Sequence, residues 1–159
     1  MTIAFQANSD INMESLIITP FEKEDISALV QIEGEEFSIP FKEKDFLSIY
    51  ESEISSVLVA RLGNTVVGYV SFTIIIDECQ ILNFATKNEF KRHGVGKRVM
   101  EALLEYGKEK GVQKYLLEVR VSNQGAINLY EKYGFKTVGV SKNHFSTPRE
   151  DALLMNLEL

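Results

Sequence analysis

The sequence has a single cysteine, Cys79, among its 159 residues, so no intrachain disulfide can form. That usage fits a reducing compartment. It has two histidines, His93 and His144, too far apart in the chain to give a metal-ligand pattern. Positive charge is in deficit: 17 Lys+Arg against 23 Asp+Glu leave a net charge of −6. A surface of that sign argues against broad nucleic-acid binding and attracts a cationic substrate. The longest apolar run, around Val70 to Ile76, is far too short to span a bilayer. The opening MTIAFQANSDINMES lacks a basic start followed by an apolar block, so no secretory signal is expected. Repeats, low-complexity tracts and interdomain linkers are also missing. So are two familiar phosphate-binding strings. The dinucleotide fingerprint would need glycine where Val99 stands, and no G-x-x-x-x-G-K-[ST] string occurs.

What is present is an ordinary globular composition, 45% hydrophobic and 25% charged, in a chain long enough for one domain with a real core. Residues 1–14 are expected to form a loose leader and residues 15–159 the domain. Leu16–Thr19 predicts a short strand ending at Pro20. Ile26, Leu29, Val30 and Ile32 predict a helix from Lys23 to about Phe37, and a second, short helix is expected over Glu43–Glu53. Ser56–Leu62, Thr65–Ile76 and Gln80–Thr86 predict three strands, the first two joined by a tight turn at Gly63-Asn64. A helix follows over Gly94–Lys110, stopped by Gly111, then a strand over Tyr115–Val121. Ser122-Asn123 caps a helix running to Tyr133, stopped by Gly134. Lys136–Val140 and Ala152–Glu158 close the chain as strands. The order β-α-α-β-β-β-α-β-α-β-β implies a mixed α/β sheet with helices on its faces.

Two stretches carry chemistry. The first is FKRHGVGKRVM, residues 90–100, with two glycines and four basic side chains at the head of a helix. The first N–H groups of a helix lack intrahelical acceptors and the helix dipole adds positive charge there, so phosphate binds well. Gly94 and Gly96 let the backbone approach the anion, while Lys91, Arg92, Lys97 and Arg98 add charge. A pyrophosphate is the expected ligand; a solvated glycine turn is the plain alternative. The second is LLEVRVSNQGAINLYEKYGF, residues 116–135. Strand alternation puts Leu117, Val119 and Val121 on one face and Glu118 and Arg120 on the other, where the two form a ready surface pair or Glu118 serves chemistry. Asn123 and Tyr130 are seven residues apart, nearly two helical turns, so they share a face near the helix start. Tyr130 reads equally as a core aromatic with its hydroxyl at the rim. The Cys79 thiol, beside Asp77 and Glu78, is expected to have a raised pKa and a structural role. Glu33, Glu35 and Glu36 read as a solvated helix end, or as a landing site for a cationic substrate.

With these residues in view, the chain resembles the GNAT superfamily of N-acetyltransferases. Its R/Q-x-x-G-x-G/A pattern falls on Lys91-Arg92-His93-Gly94-Val95-Gly96, with lysine in the first place. DECQILNFATKNEFKRHGVG, LLEVRVSNQGAINLYEKYGF and REDALLM are similar to the ribosomal-protein-alanine N-acetyltransferase family within it. The resemblance implies a mixed, mostly antiparallel sheet of about seven strands flanked by about four helices, and acetyl-CoA as co-substrate. It implies direct acetyl transfer to the N-terminal α-amine of a ribosomal protein in the cytoplasm. It also implies roles for residues. Phe84, Ala85 and Thr86 lie along the pantetheine arm, Arg92, His93, Gly94, Val95, Gly96 and Lys97 hold the pyrophosphate with Lys91 at the head of the pattern, and Asn123 contacts the cofactor. Glu118 matches the general base and Tyr130 the general acid; His144 is an alternative base. Two departures fall in loops that border the acceptor in this family: Pro40-Phe41 where Pro-Trp is common, and NHFSTP, with His144 and Phe145 in place of a tyrosine pair. Two other readings share these residues: an acetyltransferase of a small amine (a polyamine, amino acid or aminoglycoside) and a non-catalytic acyl-CoA-binding module.

Overall fold

The computed structural model describes residues 12–159. Residues 1–11 of the expected leader lie outside the described residues, and Met13–Ser15 form a single 3-10 turn. The elements then follow in the expected order: β1 (Ile17–Pro20), α1 (Ile26–Glu36), α2 (Glu43–Tyr50), β2 (Ser55–Leu62), β3 (Thr65–Ile75), β4 (Glu78–Thr86), α3 (Val95–Glu109), β5 (Lys114–Arg120), α4 (Gln124–Lys132), β6 (Lys136–Ser146) and β7 (Arg149–Glu158). The seven strands form one sheet in the order β1-β2-β3-β4-β5-β7-β6. Every neighbouring pair is antiparallel except β4 and β5.

Strand alternation divides the core. In β2, Val57 and Val59 face α1 and α2, joining Leu29, Ile32, Phe46 and Tyr69. Leu58 and Ala60 face the other way and pack with Val95, Val99 and Leu103 of α3 and Ile127 of α4. The central strands are therefore apolar on both faces, which is why β2 and β3 read as unbroken hydrophobic runs. α3 packs close to the sheet because it carries Gly107, where any side chain would collide with the hydroxyl of buried Tyr115.

Two expectations needed correction. β6 and β7 run well past Val140 and start well before Ala152, giving a long hairpin over a polar stretch with no alternation to announce it. α2 ends at Tyr50, short of the expected Glu53, where Ser52 Oγ takes the N–H groups of Ile54 and Ser55 and leads the chain into β2.

The one parallel pair sets up the site. β4 and β5 are matched only from Glu78↔Lys114 to Gln80↔Leu116, although β4 continues to Thr86 and β5 to Arg120. Beyond Gln80 the two strands part. The edge of β4 facing β5 is left without a strand partner, and a cleft opens in the middle of the sheet.

Candidate active site

A cavity of about 280 Å³ fills the gap between the parted strands. Its walls come from Ile81–Phe84 of β4, Leu117–Arg120 of β5, the start of α4 with Asn123, Ala126 and Tyr130, and the loop after α1. A second cavity, about 240 Å³, adjoins it and is lined by Gln80, His144 and, shared with the first, Phe41, Ile81, Leu82, Asn83, Glu118 and Phe145. Glu118 therefore stands where the two cavities meet. Both expected catalytic residues line the first, Glu118 on the β5 wall and Tyr130 on the α4 wall.

Their surroundings differ. Tyr130 is 6% exposed, wedged edge-on against Phe84 with ring centroids 6.0 Å apart and tilted against Phe135 at 5.7 Å. Burial pushes its phenol well above the ordinary tyrosine range. Its hydroxyl has no hydrogen bond among the described residues and is left for whatever occupies the cleft. Glu118 is solvent-accessible. Its Oε2 lies 3.1 Å from His144 Nε2, and its Oε1 receives Gln80 Nε2 at 3.5 Å. The surface pair with Arg120 is not formed. Arg120 turns to the β6–β7 hairpin, donating to Glu150 at 3.1 Å and to the carbonyls of Thr147 and Pro148, with its guanidinium 4.3 Å from the Phe145 ring centre. Glu150 also accepts the Ser122 N–H at 2.7 Å; hydrogen bonding to the Ser122 side chain first, then to Arg120 and the Ser122 backbone, holds its carboxyl below the usual range. The alternation argument placed Glu118 and Arg120 on one face correctly, but hairpin groups distant in sequence offered both of them better geometry.

The glycine turn has the form an anion needs. Gly94 sits at φ +87°, a left-handed conformation that strains any residue with a side chain, and α3 begins at once. The first intrahelical bond runs from Arg98 N–H to Gly94 O at 3.1 Å, and Gly94 offers no side-chain cap. The N–H groups of Val95, Gly96 and Lys97 therefore have no acceptor within the helix. A side chain at Gly96 would approach Phe84 at 3.6 Å, so the turn adjoins the cleft mouth. The Val95 side chain is in the core, and only its backbone faces the turn. The basic residues separate into two groups. Lys91 Nζ is 2.9 Å from Glu36, and Arg98 donates to the carbonyls of Met13 and Leu16 at 3.2 and 3.1 Å. Arg92 and Lys97 make no ion pair among the described residues. His93 is half-buried in the turn.

Along β4, Phe84 and Thr86 are half-buried and Ala85 turns its methyl into the α1–α2 core, so Ala85 can present only backbone to a ligand. Asn123 caps α4, its Oδ1 accepting the Ala126 N–H at 3.2 Å, and the residue lines the cleft. Cys79 is fully buried, with its thiol pushed up to about 12 by that burial rather than by neighbouring carboxylates. It touches neither cavity.

Glu33 overturns an expectation. It is no solvated helix end: it is 0% exposed beneath the cleft. Its oxygens accept the Phe41 N–H at 2.8 Å, both contacts from Asn83 Nδ2 at 2.8 and 3.1 Å, and the Tyr69 hydroxyl. Burial raises its pKa against the pull of these donors. The network ties the loop carrying Phe41 to β4 at a bulge, where Leu82 is skipped in the ladder and Ser71 Oγ takes the Asn83 N–H at 3.0 Å. The signal was available: position 33 lies seven residues after Ile26 and four after Leu29, on the face that the same helical spacing buries.

A strand pair parted around two titratable groups, beside an uncapped helix start, is a cleft for an extended ligand ending in phosphate. The model of the Acetyltransferase (GNAT) family matches residues 26–135, more than half of the chain. This chain belongs to the GNAT acetyltransferase family. The GNAT fold and the use of acetyl-CoA come with it, and the protein is an acetyl-CoA-dependent N-acetyltransferase. The chain is 35% identical over 133 residues to a Bacillus subtilis (strain 168) protein provisionally named ribosomal protein bS18-alanine N-acetyltransferase, covering 83% of this chain and 88% of that one. It is 31% identical over 144 residues to the ribosomal protein bS18-alanine N-acetyltransferase of Escherichia coli (strain K12), covering 89% and 97%. The crystal structure of the ribosomal-protein-S18-alanine N-acetyltransferase from Escherichia coli superposes with a TM-score of 0.83 at 30% identity, covering 90% of this chain and 93% of that one. Among the described residues no helix is long and apolar enough to cross a membrane.

Proposed function

We propose that this GNAT enzyme acetylates the N-terminal α-amine of a protein, with the alanine of a ribosomal protein such as bS18 as acceptor, and that residues 15–159 form the catalytic domain. The observation that carries the reading is that Glu118 on β5 and Tyr130 on α4 line one cleft, with Glu118 also open to the adjoining cavity. Relatives at 31–35% identity named for that activity support the acceptor. Such an acceptor and a single reduced cysteine are consistent with the cytosol.

The chain's residues fit acetyl-CoA. The open N–H groups at Val95–Lys97, with Arg92 and Lys97, suit its pyrophosphate; the unpartnered edge of β4 at Phe84–Thr86 suits its pantetheine amides; Asn123 Nδ2 offers a further donor. Bound there, the co-substrate supplies a thioester carbonyl open to attack by an amine. Glu118 takes the proton the acceptor must lose. An α-amine has a pKa of about 7.7–8.0, so a carboxylate at the junction of the cavities need only draw off a proton already close to leaving. The N–C bond forms as the C–S bond breaks, Tyr130 gives its proton to the departing sulfur, and the second proton that the nitrogen sheds on becoming an amide restores the phenol. Burial keeps the phenol protonated until then, and the same dry wall disfavours a free thiolate beside it.

The test is acetyl transfer to short peptides beginning with Ala, Ser, Met or Gly and to polyamines, followed by thiol release and by mass added at the N-terminus. Glu118→Gln and Tyr130→Phe are each expected to lower kcat by about 10²–10⁴-fold with the KM for acetyl-CoA kept. Release with polyamines and none with peptides would replace the protein acceptor with a small amine. Wild-type turnover in either variant would remove that residue from its role.

A further inference from the structure

The β6–β7 ladder is broken in one place. Ser141 pairs with Ala152 and Phe145 with Glu150, so three residues of β6 face one residue of β7. The extra length is a built bulge. Asn143 adopts φ +52°, and Asp151 holds it and the preceding residue in place, accepting the Asn143 N–H at 2.8 Å and Lys142 Nζ at 3.2 Å. The bulge delivers His144 across β7, which lies between β6 and β5, to Glu118 on β5. The imidazole is fixed on three sides. Nε2 meets Glu118 Oε2 at 3.1 Å, Nδ1 meets Ser141 Oγ at 3.2 Å, and the ring stands edge-on to Phe145 with centroids 4.8 Å apart.

One proton arrangement of neutral imidazole satisfies every contact. Ser141 donates its hydroxyl to Nδ1, which leaves the proton on Nε2 and points it at the carboxylate. We propose that His144 is a positioning residue for Glu118. Resting on the reading of Glu118 as base, the inference is that the imidazole holds Oε2 and so fixes the carboxylate at the junction of the two cavities. That keeps Oε1, whose one contact among the described residues is Gln80 at 3.5 Å, in line for the amine proton. A long, half-exposed glutamate without such a partner would spread over several rotamers, and a misplaced base loses rate steeply. Phe145, held against Arg120, is the platform on which the imidazole stands.

The experiment is steady-state kinetics on the full chain with Ser141→Ala, His144→Ala, His144→Gln, Glu118→Gln and the Glu118→Gln/His144→Ala double variant. Both acetyl-CoA and an alanine-leading peptide are varied, and each variant's melting temperature is recorded. His144→Ala is expected to lower kcat about tenfold, with the KM for acetyl-CoA and the melting temperature unchanged. His144→Gln, which keeps a donor, should recover most of the rate. Ser141→Ala should show a smaller loss of the same kind, and the double variant should be no slower than Glu118→Gln alone. Wild-type kcat in His144→Ala overturns the proposal while Glu118→Gln, if still inactive, preserves the base assignment. A loss confined to peptide KM, or one His144→Gln fails to recover, makes His144 an acceptor contact and also overturns it. Full turnover in Glu118→Gln beside a slow His144→Ala removes the base reading itself and the proposal with it.

Discussion

Tyr69→Phe tests the idea that the floor of the cleft is held by a buried charge. Tyr69 and Glu33 are both fully buried, and burial keeps the phenol protonated, so it is the donor in their contact. The substitution removes one oxygen and leaves the ring where it packs, edge-on to Phe46 at 6.2 Å. Glu33 Oε2 would then keep Asn83 as its one donor among the described residues. A hydrogen bond to a buried charged group is worth about 1.5–3 kcal/mol, so a loss near 2 kcal/mol is expected. In urea, with a slope of roughly 1–3 kcal/mol per molar, the midpoint falls by about 1 M, and Tm falls by about 4–8 °C. The loss also has a pH signature. The folded-state pKa of Glu33 lies above its ordinary 4.5, so its ionisation costs the folded state nothing below pH 4.5 and progressively more as pH rises through the folded value. Removing the tyrosine donor raises that folded value further. The difference between wild type and variant should therefore be smallest near pH 4.5 and largest at neutral pH. Urea unfolding of both proteins at each pH is the assay. A loss below about 0.5 kcal/mol, or one independent of pH, would refute the picture of an ionised, donor-dependent carboxylate under the site.

Gly107→Ala should lower Tm despite the better helix propensity of alanine, because the new methyl collides with the buried Tyr115 hydroxyl and overpacking costs about 1–3 kcal/mol; an unchanged or higher melting point would mean that α3 can lift off β5 freely. Asp25, paired with Arg61, has a carboxyl held below its ordinary 3.8, first by the Arg61 hydrogen bond, so its contribution is present above pH 3.8 and lost as pH falls through the lower folded value. Asp25→Asn should cost about 1–3 kcal/mol in urea unfolding at neutral pH and much less at the acid end; a cost that persists undiminished in acid would assign the effect to packing.

Much of the fold was legible because its cues are local. Helical spacing at Ile26, Leu29 and Ile32, the alternation through β2 and β5 and the glycine at the head of α3 act between residues a few positions apart, and each element stands at or near its expected bounds. The exceptions, β6 and β7, extend through 141–151, where Asp151, Arg120 and Glu150 bind polar chain into a hairpin without any hydrophobic pattern. The candidate site was legible in part. Motif residues on β4, β5 and α4 do line one cleft, and the turn at the head of α3 adjoins it through Phe84, since a parallel β4–β5 pair joined through α3 brings their ends together. Partners were not legible. Nothing within a few residues of Lys91, Arg98, Glu118 or Arg120 announces Glu36, the carbonyls of Met13 and Leu16, His144 or Glu150. The sequence alone determined most of the helices and strands and the apolar residues each buries, because backbone preference and periodicity are short-range. Only the tertiary structure decided which charges meet, that Glu33 is buried under four donor contacts and that a bulge brings His144 to Glu118, because those outcomes depend on the order of strands in the sheet and the register between them.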